Sequence, residues 1–287
     1  MYVITGITGK VGGAVARALL YNRQAVRAVV RDPVKGAYWE ALGCEVVIAN
    51  MDDASALTRA FEGASGVFIL PPSEFDPAPG FPEARAVIDA VSQAIDAARP
   101  EKVVCISTIG AQAAQINLLT QRTLMEKALS ALPVPVTFLR PGWFMDNAAF
   151  DITSVLEQGM INSFLHPLDK QVPMIASADV GEVAAGLLQE QWTGAQIVEL
   201  EGQWVSPNEM AKVFGEILGK PISVEAVPRE SWEPMFREQG ALNPLPRMQM
   251  LDGFNEGWIE FERSADVRMK GKTTLKTVLK GLLFQSK

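Results

Sequence analysis

The first twelve residues carry the strongest structural signal of the chain. Tyr2–Thr5 is an apolar, β-branched run, which predicts a buried strand. Gly6, Gly9 and Gly12 follow at three-residue spacing, and apolar residues then recur at helical intervals over residues 13–20. A turn without Cβ atoms lets the backbone approach a pyrophosphate, and a helix start offers unpaired N–H groups and a positive dipole end. This order of strand, glycine turn and helix predicts a dinucleotide site, with an ordinary βα turn as the alternative.

Alternating strand and helix patterns continue from this turn to about residue 150. Further strands are predicted at 25–30, 44–49, 66–70, 102–106 and 136–139, and helices at 54–62, 83–98 and 118–131. Later helices are predicted at 179–189, at 207–218 and at 275–283. Asp53, Asp179 and Ser206 are the predicted caps of the helices at 54–62, 179–189 and 207–218. We therefore predict an α/β fold: a Rossmann-type, doubly wound parallel sheet over 1–150, with a smaller α+β substrate region over 151–287 that is partly interwoven with it.

Composition limits the classes of partner. Hydrophobic residues make up 48% of the 287, which suffices for a full core, and the net charge of −7 disfavours nucleic acid as a partner. No apolar run approaches membrane-spanning length, and a strand that begins at residue 2 leaves no room for a signal peptide. Cys44 and Cys105 lie in or beside strand-like runs, so we expect reduced core thiols of a cytoplasmic protein. Because His166 is the only histidine, no metal site is expected. The oligomeric state stays open, a homodimer included.

The end of the second predicted strand bears on the choice of cofactor. Asp32 lies about twenty residues after the last motif glycine, where a ribose-binding acid is expected. It also precedes Pro33, and an Asp-Pro pair favours a helix start with the aspartate as cap. We prefer the capping role, which leaves Arg31 to bind a 2′-phosphate with Lys35 close enough to assist. This arrangement predicts NADP(H) as the preferred cofactor, with NAD(H) as the alternative; a solvated loop is the other interpretation of Arg31 and Lys35.

Several segments match one known family. Gly6–Gly12, Val26–Arg31 and Leu139–Asn147 resemble the NmrA-like group of atypical short-chain dehydrogenase/reductases, as do Ala178–Val183 and Thr273–Leu279. The likeness covers essentially the whole chain. It implies a dinucleotide-binding domain followed by a smaller substrate domain. The family includes NADPH-dependent quinone reductases and also redox-sensing regulators that bind the dinucleotide without turning it over.

The resemblance also assigns cofactor contacts, which follow the ends of successive strands. At the pyrophosphate it implies Gly6, Thr8, Gly9 and Lys10, with Val11 and Gly12 completing the turn. On the adenosine side it implies Arg31 at the 2′-phosphate, Leu70 and Pro71 along the ribose, and Asn50 near the adenine, where the family often has an aspartate. On the nicotinamide side it implies Ser107 and Thr108 at the ribose, and Pro141, Gly142, Trp143 and Phe144 at the nicotinamide.

The chain departs from the superfamily in its catalytic pair. Catalysis there usually uses a tyrosine that donates a proton and a lysine four residues later. Every tyrosine of this chain lies in the first forty residues, and the equivalent positions hold Leu118 and Arg122. Arg122 can bind a ribose but does not readily lose a proton. The proton donor is therefore unknown.

Ser107, Arg122 and Lys127 are the candidates for catalytic residues. Ser107 stands at a predicted strand end and could orient a substrate oxygen, although serines there are often only caps. Lys127 follows Glu126 on a predicted helix, and the pair is expected to form a solvated face more often than a catalytic one.

Two functions fit these residues. The first is an NADPH-dependent reductase of quinones or similar small electrophiles, and the alternative is an NADP(H)-binding redox sensor without turnover. An epimerase or dehydratase is disfavoured because it needs the tyrosine–lysine pair. Six aromatic residues are candidates for the walls of a flat substrate pocket or, more often, for core packing: Trp143, Phe144, Trp232, Phe236, Phe254 and Trp258.

Overall fold

The computed structural model describes residues 1–262 and 265–285. Its strands, numbered in chain order, are β1 (Tyr2–Ile4), β2 (Val26–Val30), β3 (Glu45–Ile48), β4 (Gly66–Ile69), β5 (Val103–Ile106), β6 (Val136–Pro141), β7 (Trp143–Phe144), β8 (Met160–Ser163), β9 (Val172–Ile175), β10 (Ala195–Glu201), β11 (Gln203–Val205), β12 (Ser223–Ala226) and β13 (Val267–Lys270). Its α-helices are α1 (Lys10–Tyr21), α2 (Pro33–Ala41), α3 (Ala54–Phe61), α4 (Pro82–Ala98), α5 (Thr120–Leu129), α6 (Ile152–Glu157), α7 (Ser177–Gln189), α8 (Pro207–Leu218), α9 (Trp232–Glu238), α10 (Leu245–Glu256) and α11 (Leu275–Gln285).

One large sheet organises the molecule. Within the described ranges it has eight strands in the order β13-β10-β6-β5-β4-β1-β2-β3, and every pairing is parallel. Two small sheets, β11-β9-β7 and β12-β8, lie outside it. The predicted doubly wound, Rossmann-type α/β fold is thus confirmed.

Helices cover both faces of this sheet, because alternate strand residues point to opposite sides. Phe68 packs in one core with residues of α1 and α7, whereas its neighbour Val67 packs in the other with residues of α3, α4 and α5. The first core needs a glycine at 181, since a Cβ there would lie 2.3 Å from the Cβ of Ala14 on α1. Helices α1 and α7 are therefore in close backbone contact.

The predicted helix starts at Asp32, Asp53 and Ser206 are confirmed, because each side chain accepts a hydrogen bond from a backbone N–H two or three residues later. The predicted cap at Asp179 is wrong. Helix α7 begins two residues earlier with Ala176 as its N-cap. The Asp179 carboxylate instead accepts hydrogen bonds from Thr273 N at 2.8 Å and Thr273 Oγ1 at 2.5 Å.

The segment after β6 also differs from expectation. The sequence predicts a strand that ends at Leu139, then a turn and a helix start. The strand instead continues to Pro141, and Trp143–Phe144 forms β7, which pairs with Met174 and Ile175 of β9. The predicted helix start is confirmed as a 3-10 helix over Met145–Asp151. A two-residue strand of this kind depends on a partner that lies far away along the chain.

The region after residue 150 contributes to the main sheet through β10 and β13 and to one of its covering layers through α7. The boundary at residue 150 stays a prediction. Cys44 and Cys105 are buried free thiols, and burial raises the pKa of Cys105 to about 12. In residues 1–262 and 265–285, no helix combines the length and the apolar character needed to cross a membrane.

Candidate functional site

The predicted cofactor residues lie along one edge of the large sheet. Parallel strands all end at the same edge, so Arg31, Gly6, Leu70, Ser107 and Gly142 follow the ends of β2, β1, β4, β5 and β6 in that spatial order. The chain reverses its direction of winding between β1 and β4, the position where open α/β sheets bind ligands. The fold therefore brings these residues together, while their contacts with a cofactor stay predictions.

The glycine turn after β1 has no room for a side chain at Gly6 or at Gly12. A Cβ on Gly12 would lie 2.4 Å from the Gly6 carbonyl oxygen, and Gly6 itself has a φ of +62° with Leu70 close by. Thr5 holds the start of the turn beside the end of β4, since its hydroxyl donates to Phe68 O at 3.1 Å and accepts from Leu70 N at 2.8 Å. The turn is thus held against the end of β4 by backbone and side-chain contacts together.

Helix α1 begins directly at this turn. Gly9 is its N-cap, and the bond from Gly13 N to Gly9 O, at 2.9 Å, closes the first helical turn. The N–H groups of Lys10, Val11 and Gly12 precede that bond and point out of the helix start, where an anion is stabilised. The geometry required of a pyrophosphate site is present.

A cleft of about 430 Å³ opens beside the turn. It is lined by Ile7, Thr8, Gly9, Arg17, Lys35, Tyr38 and Trp39. Thr8, Gly9 and Lys35 were predicted from the sequence, whereas Arg17, Tyr38 and Trp39 were missed. The cleft combines two cations with two aromatic rings, a composition that suits a phosphorylated adenosine.

Arg17 reaches this cleft by lying back along α1. Its guanidinium carbon is 6.0 Å from the centre of the Trp39 ring. Its Nη1 lies 3.2 Å from the place where a Cβ on Gly13 would stand. The sequence could have indicated this position of Arg17, because the spacing of four residues places Gly13 and Arg17 on one face of α1.

Arg31 is exposed and does not line the cleft, and neither does Asn50. Asp32 caps α2 through a bond from Val34 N at 2.9 Å, so the preferred capping role is confirmed. A third cation beside the turn, Lys10, lies 3.1 Å from Asp146.

Asp146 is a site residue that the sequence did not reveal. One of its oxygens pairs with Lys10 and the other accepts a bond from Ser177 N, the first residue of α7, at 2.9 Å. Burial opposes ionisation, but the hydrogen bonds from Ser177 and Lys10 outweigh it and hold the pKa of Asp146 below its ordinary value. The carboxylate therefore joins the starts of α1 and α7.

A charged network lies behind the end of β5. Ser107 Oγ donates to Glu126 Oε1 at 2.5 Å, and the same carboxylate receives two bonds from Arg140, at 2.8 and 2.7 Å. Arg140 also donates to Glu262 at 2.6 Å and to Gln112 at 3.2 Å. We call these five residues the Arg140 network. The expectation that Glu126 belongs to a solvated face is wrong, because its side chain is 12% exposed and doubly bonded to an arginine.

Arg140 keeps its positive charge in spite of burial. The Arg140 side chain is 4% exposed. Burial alone would lower the pKa of Arg140, but the hydrogen bonds and charges of Glu126 and Glu262 outweigh it and leave the pKa above its ordinary value. Because an ionised carboxylate is an acceptor only, Ser107 donates its proton to Glu126, and its hydroxyl oxygen can only accept further hydrogen bonds.

The other two catalytic candidates lie elsewhere. Arg122 donates to Pro71 O at 3.0 Å, to Pro72 O at 3.3 Å and to Ser73 Oγ at 2.8 Å, so it holds the loop after β4. Burial lowers the pKa of Arg122. Lys127 is exposed, as expected of a solvated face.

Core packing accounts for three of the six candidate aromatics. Trp232, Phe236 and Phe254 are at most 4% exposed and belong to apolar clusters. Trp143 is half-buried and meets Phe254 edge to face, with ring centres 5.0 Å apart. Phe144 and Trp258 are also half-buried.

The doubly wound sheet, with a glycine turn after its first strand, defines a protein of the Rossmann type. Residues 2–268 match the NmrA-like family, and the chain belongs to that family.

Two relatives align over most of their length. Quinone oxidoreductase 2 of Escherichia coli (strain K12) is 28% identical over 252 residues, which cover 86% of this chain and 85% of that protein. An NAD(P)H azoreductase of Xenophilus azovorans is 27% identical over 260 residues, with coverage of 89% and 85%. The crystal structure of the NADPH-dependent quinone oxidoreductase of Escherichia coli, complexed with NADPH, superposes with a TM-score of 0.81 at 22% identity over 100% of both chains.

Proposed function

We propose that this protein is an NADPH-dependent reductase of quinones or similar small electrophiles. The observation that carries the proposal is the glycine turn, whose helix-start amides open beside a cleft with two cations. The relatives named as quinone oxidoreductase and azoreductase support turnover over the alternative, a redox sensor.

Different residues at the sheet edge would bind different parts of NADPH. The N–H groups of Lys10, Val11 and Gly12 would bind the pyrophosphate, and Arg17 with Lys35 would bind the 2′-phosphate. Bound NADPH would supply the hydride. Ser107 would accept a hydrogen bond from a ribose or product hydroxyl, because its own proton is engaged by Glu126.

No tyrosine of the sequence stands at the superfamily's proton-donor position, which limits the substrates that the protein can reduce. Hydride transfer to a ketone makes an alkoxide, a strong base that needs a nearby acid. Hydride transfer to a quinone makes a resonance-stabilised phenolate, which solvent can protonate. The protein then has mainly to hold the quinone against the nicotinamide, a matter of proximity and orientation.

The test compares substrate classes with purified protein over a range of enzyme concentrations. We expect NADPH oxidation with a simple quinone and little or none with simple ketones or sugars. Efficient ketone reduction would contradict the argument and would make Ser107, Lys127 and His166 the next residues to mutate. Tight NADPH binding without turnover of any quinone would favour the sensor.

The location of the site is tested by Gly9→Val. Gly9 is exposed, and a Cβ there would lie 3.3 Å from Gly6 O, against 2.4 Å for a Cβ on Gly12, so a shift of a few tenths of an ångström should accommodate a side chain that occupies the space of the pyrophosphate. We expect a folded protein without NADPH affinity. Unchanged affinity would place the dinucleotide elsewhere.

A further inference from the structure

Helix α10 crosses the sheet edge between two of the strand ends that form the candidate site. At its start, Pro246 O accepts a hydrogen bond from Leu118 N, in the loop after β5, at 2.8 Å. Near its end, Phe254 meets Trp143, which follows β6, with ring centres 5.0 Å apart. The helix therefore runs alongside the predicted position of the nicotinamide.

One arginine of this helix lies on the side that contacts Trp143. Arg247, Met250 and Phe254 are spaced by three and four residues, which places them on one face. Met250 and Trp143 both pack against the apolar cluster that contains Phe254 and against the one that contains Phe236. At 1.5 Å per residue, Arg247 lies roughly 10 Å along the axis from Phe254.

The Arg247 guanidinium is oriented by an aromatic ring. Its carbon lies 4.1 Å from the centre of Phe236, a fully buried ring of α9. The side chain is half-buried, and burial lowers the pKa of Arg247. Desolvation therefore disfavours the cation, while the stacked ring holds it in place.

Arg247 differs from three other arginines of the C-terminal region in having no acceptor. Arg229, Arg237 and Arg268 each lie 2.7–3.1 Å from a carboxylate oxygen. Among the residues that the structure describes, none accepts a hydrogen bond from Arg247 or pairs with its charge, although acidic residues outnumber basic ones by 33 to 26 in the sequence. Partly desolvated N–H donors without an acceptor are available to a ligand.

We propose that Arg247 is a specificity-determining residue that binds an anionic oxygen group of the electrophile. Carboxylate, sulfonate and phosphate share the chemistry that a guanidinium fork recognises, namely paired acceptor oxygens. A net charge of −7 repels anionic substrates in general, so a dedicated cation is needed to hold one. The inference rests on the proposed reductase function and narrows its substrates to flat electrophiles that carry an acidic group on the side away from the reacting ring.

The test uses naphthoquinone and its sulfonate as a matched pair of substrates. Arg247→Met keeps an apolar stem over Phe236 and removes the charge, while Arg237→Met removes a charge that is already paired on the exposed side of α9. We expect Arg247→Met to raise KM for the sulfonate about tenfold to a hundredfold, without a change in kcat and without a change for the neutral quinone. Arg247→Lys should lie in between, because it keeps the charge and loses the fork. Arg237→Met should leave both substrates unchanged.

Two results would overturn the inference: an equal loss for both quinones, or no loss for the sulfonate. Calorimetric titration of the sulfonate into protein loaded with NADP⁺ measures the same ratio without turnover. If wild type turned over neither quinone, the proposed function would fail, while the binding ratio between wild type and Arg247→Met would still decide the role of Arg247. Thermal unfolding of each variant verifies that the fold is retained.

Discussion

The glycine turn and the Arg140 network lie at the same sheet edge and are built in opposite ways. The turn is made from consecutive residues whose backbone atoms approach too closely for a Cβ. The network joins side chains from four segments, with Arg140 and Glu262 separated by 122 residues. The glycine turn depends on the absence of side chains, whereas the Arg140 network depends on opposite charges that stabilise one another when buried. Chain-local geometry can be recognised from residue spacing, whereas a buried network needs the fold.

The largest effect should come from the network. Arg140→Met removes the buried guanidinium that pairs with Glu126 and Glu262, and breaking a buried pair typically costs about 3–5 kcal/mol. Denaturant unfolding measures this loss. The control is Arg237→Met, whose exposed ion pair with Glu233 should contribute within about 0.5 kcal/mol. Similar losses in the two variants would show that the network adds no more than a surface pair.

The turn should respond to a single methyl group. Gly12→Ala places a Cβ against the Gly6 carbonyl, and overpacking of this kind costs about 1–3 kcal/mol. Gly186→Ala, on α7, is the control because its Cβ would meet nothing within 4 Å, and it should stabilise the helix by about 0.5–1 kcal/mol. We expect opposite shifts in unfolding midpoint. A gain in stability from Gly12→Ala would contradict the close approach seen in the turn.

The two arginines near the turn should differ in their effect on cofactor choice. Arg17 lines the cleft and Arg31 does not. Arg17→Ala should lower NADPH affinity about tenfold, or ~1.4 kcal/mol, through a lost charge-assisted contact, and leave NADH affinity unchanged. Equilibrium titrations of wild type, Arg17→Ala and Arg31→Ala with both dinucleotides compare them. A preference for NADH in wild type would remove the basis for a phosphate role of either arginine.

The smallest effect concerns pH. Because the folded-state pKa of Asp146 lies below its ordinary 3.8, its ionised form stabilises the fold at neutral pH, and this contribution disappears as pH falls through the folded-state value. Asp146→Asn lacks the contribution but can still accept the bond from Ser177 N. The stability difference between wild type and variant should therefore shrink on acidification. A stability difference that stays constant with pH would show that ionisation of Asp146 does not stabilise the fold.

Chain-local features of this protein were predictable. The alternation of strands and helices, the caps at Asp32, Asp53 and Ser206, and the glycine spacing all involve residues a few positions apart. Backbone geometry over such distances follows from residue type, since a cap or a tight turn needs a particular side chain or none.

The features that failed prediction all depend on a distant partner. The sequence pattern favours a solvated face for Glu126 because Arg140 lies outside its helix, on β6, and a cap for Asp179 because Thr273 lies beyond α7. The role proposed for Arg247 could not be predicted from the sequence either, since its stacking on Phe236 and its lack of an acceptor exist only in the folded chain. The free energy of a charge depends on what replaces its water, and residue order along the chain does not specify which groups will stand opposite it.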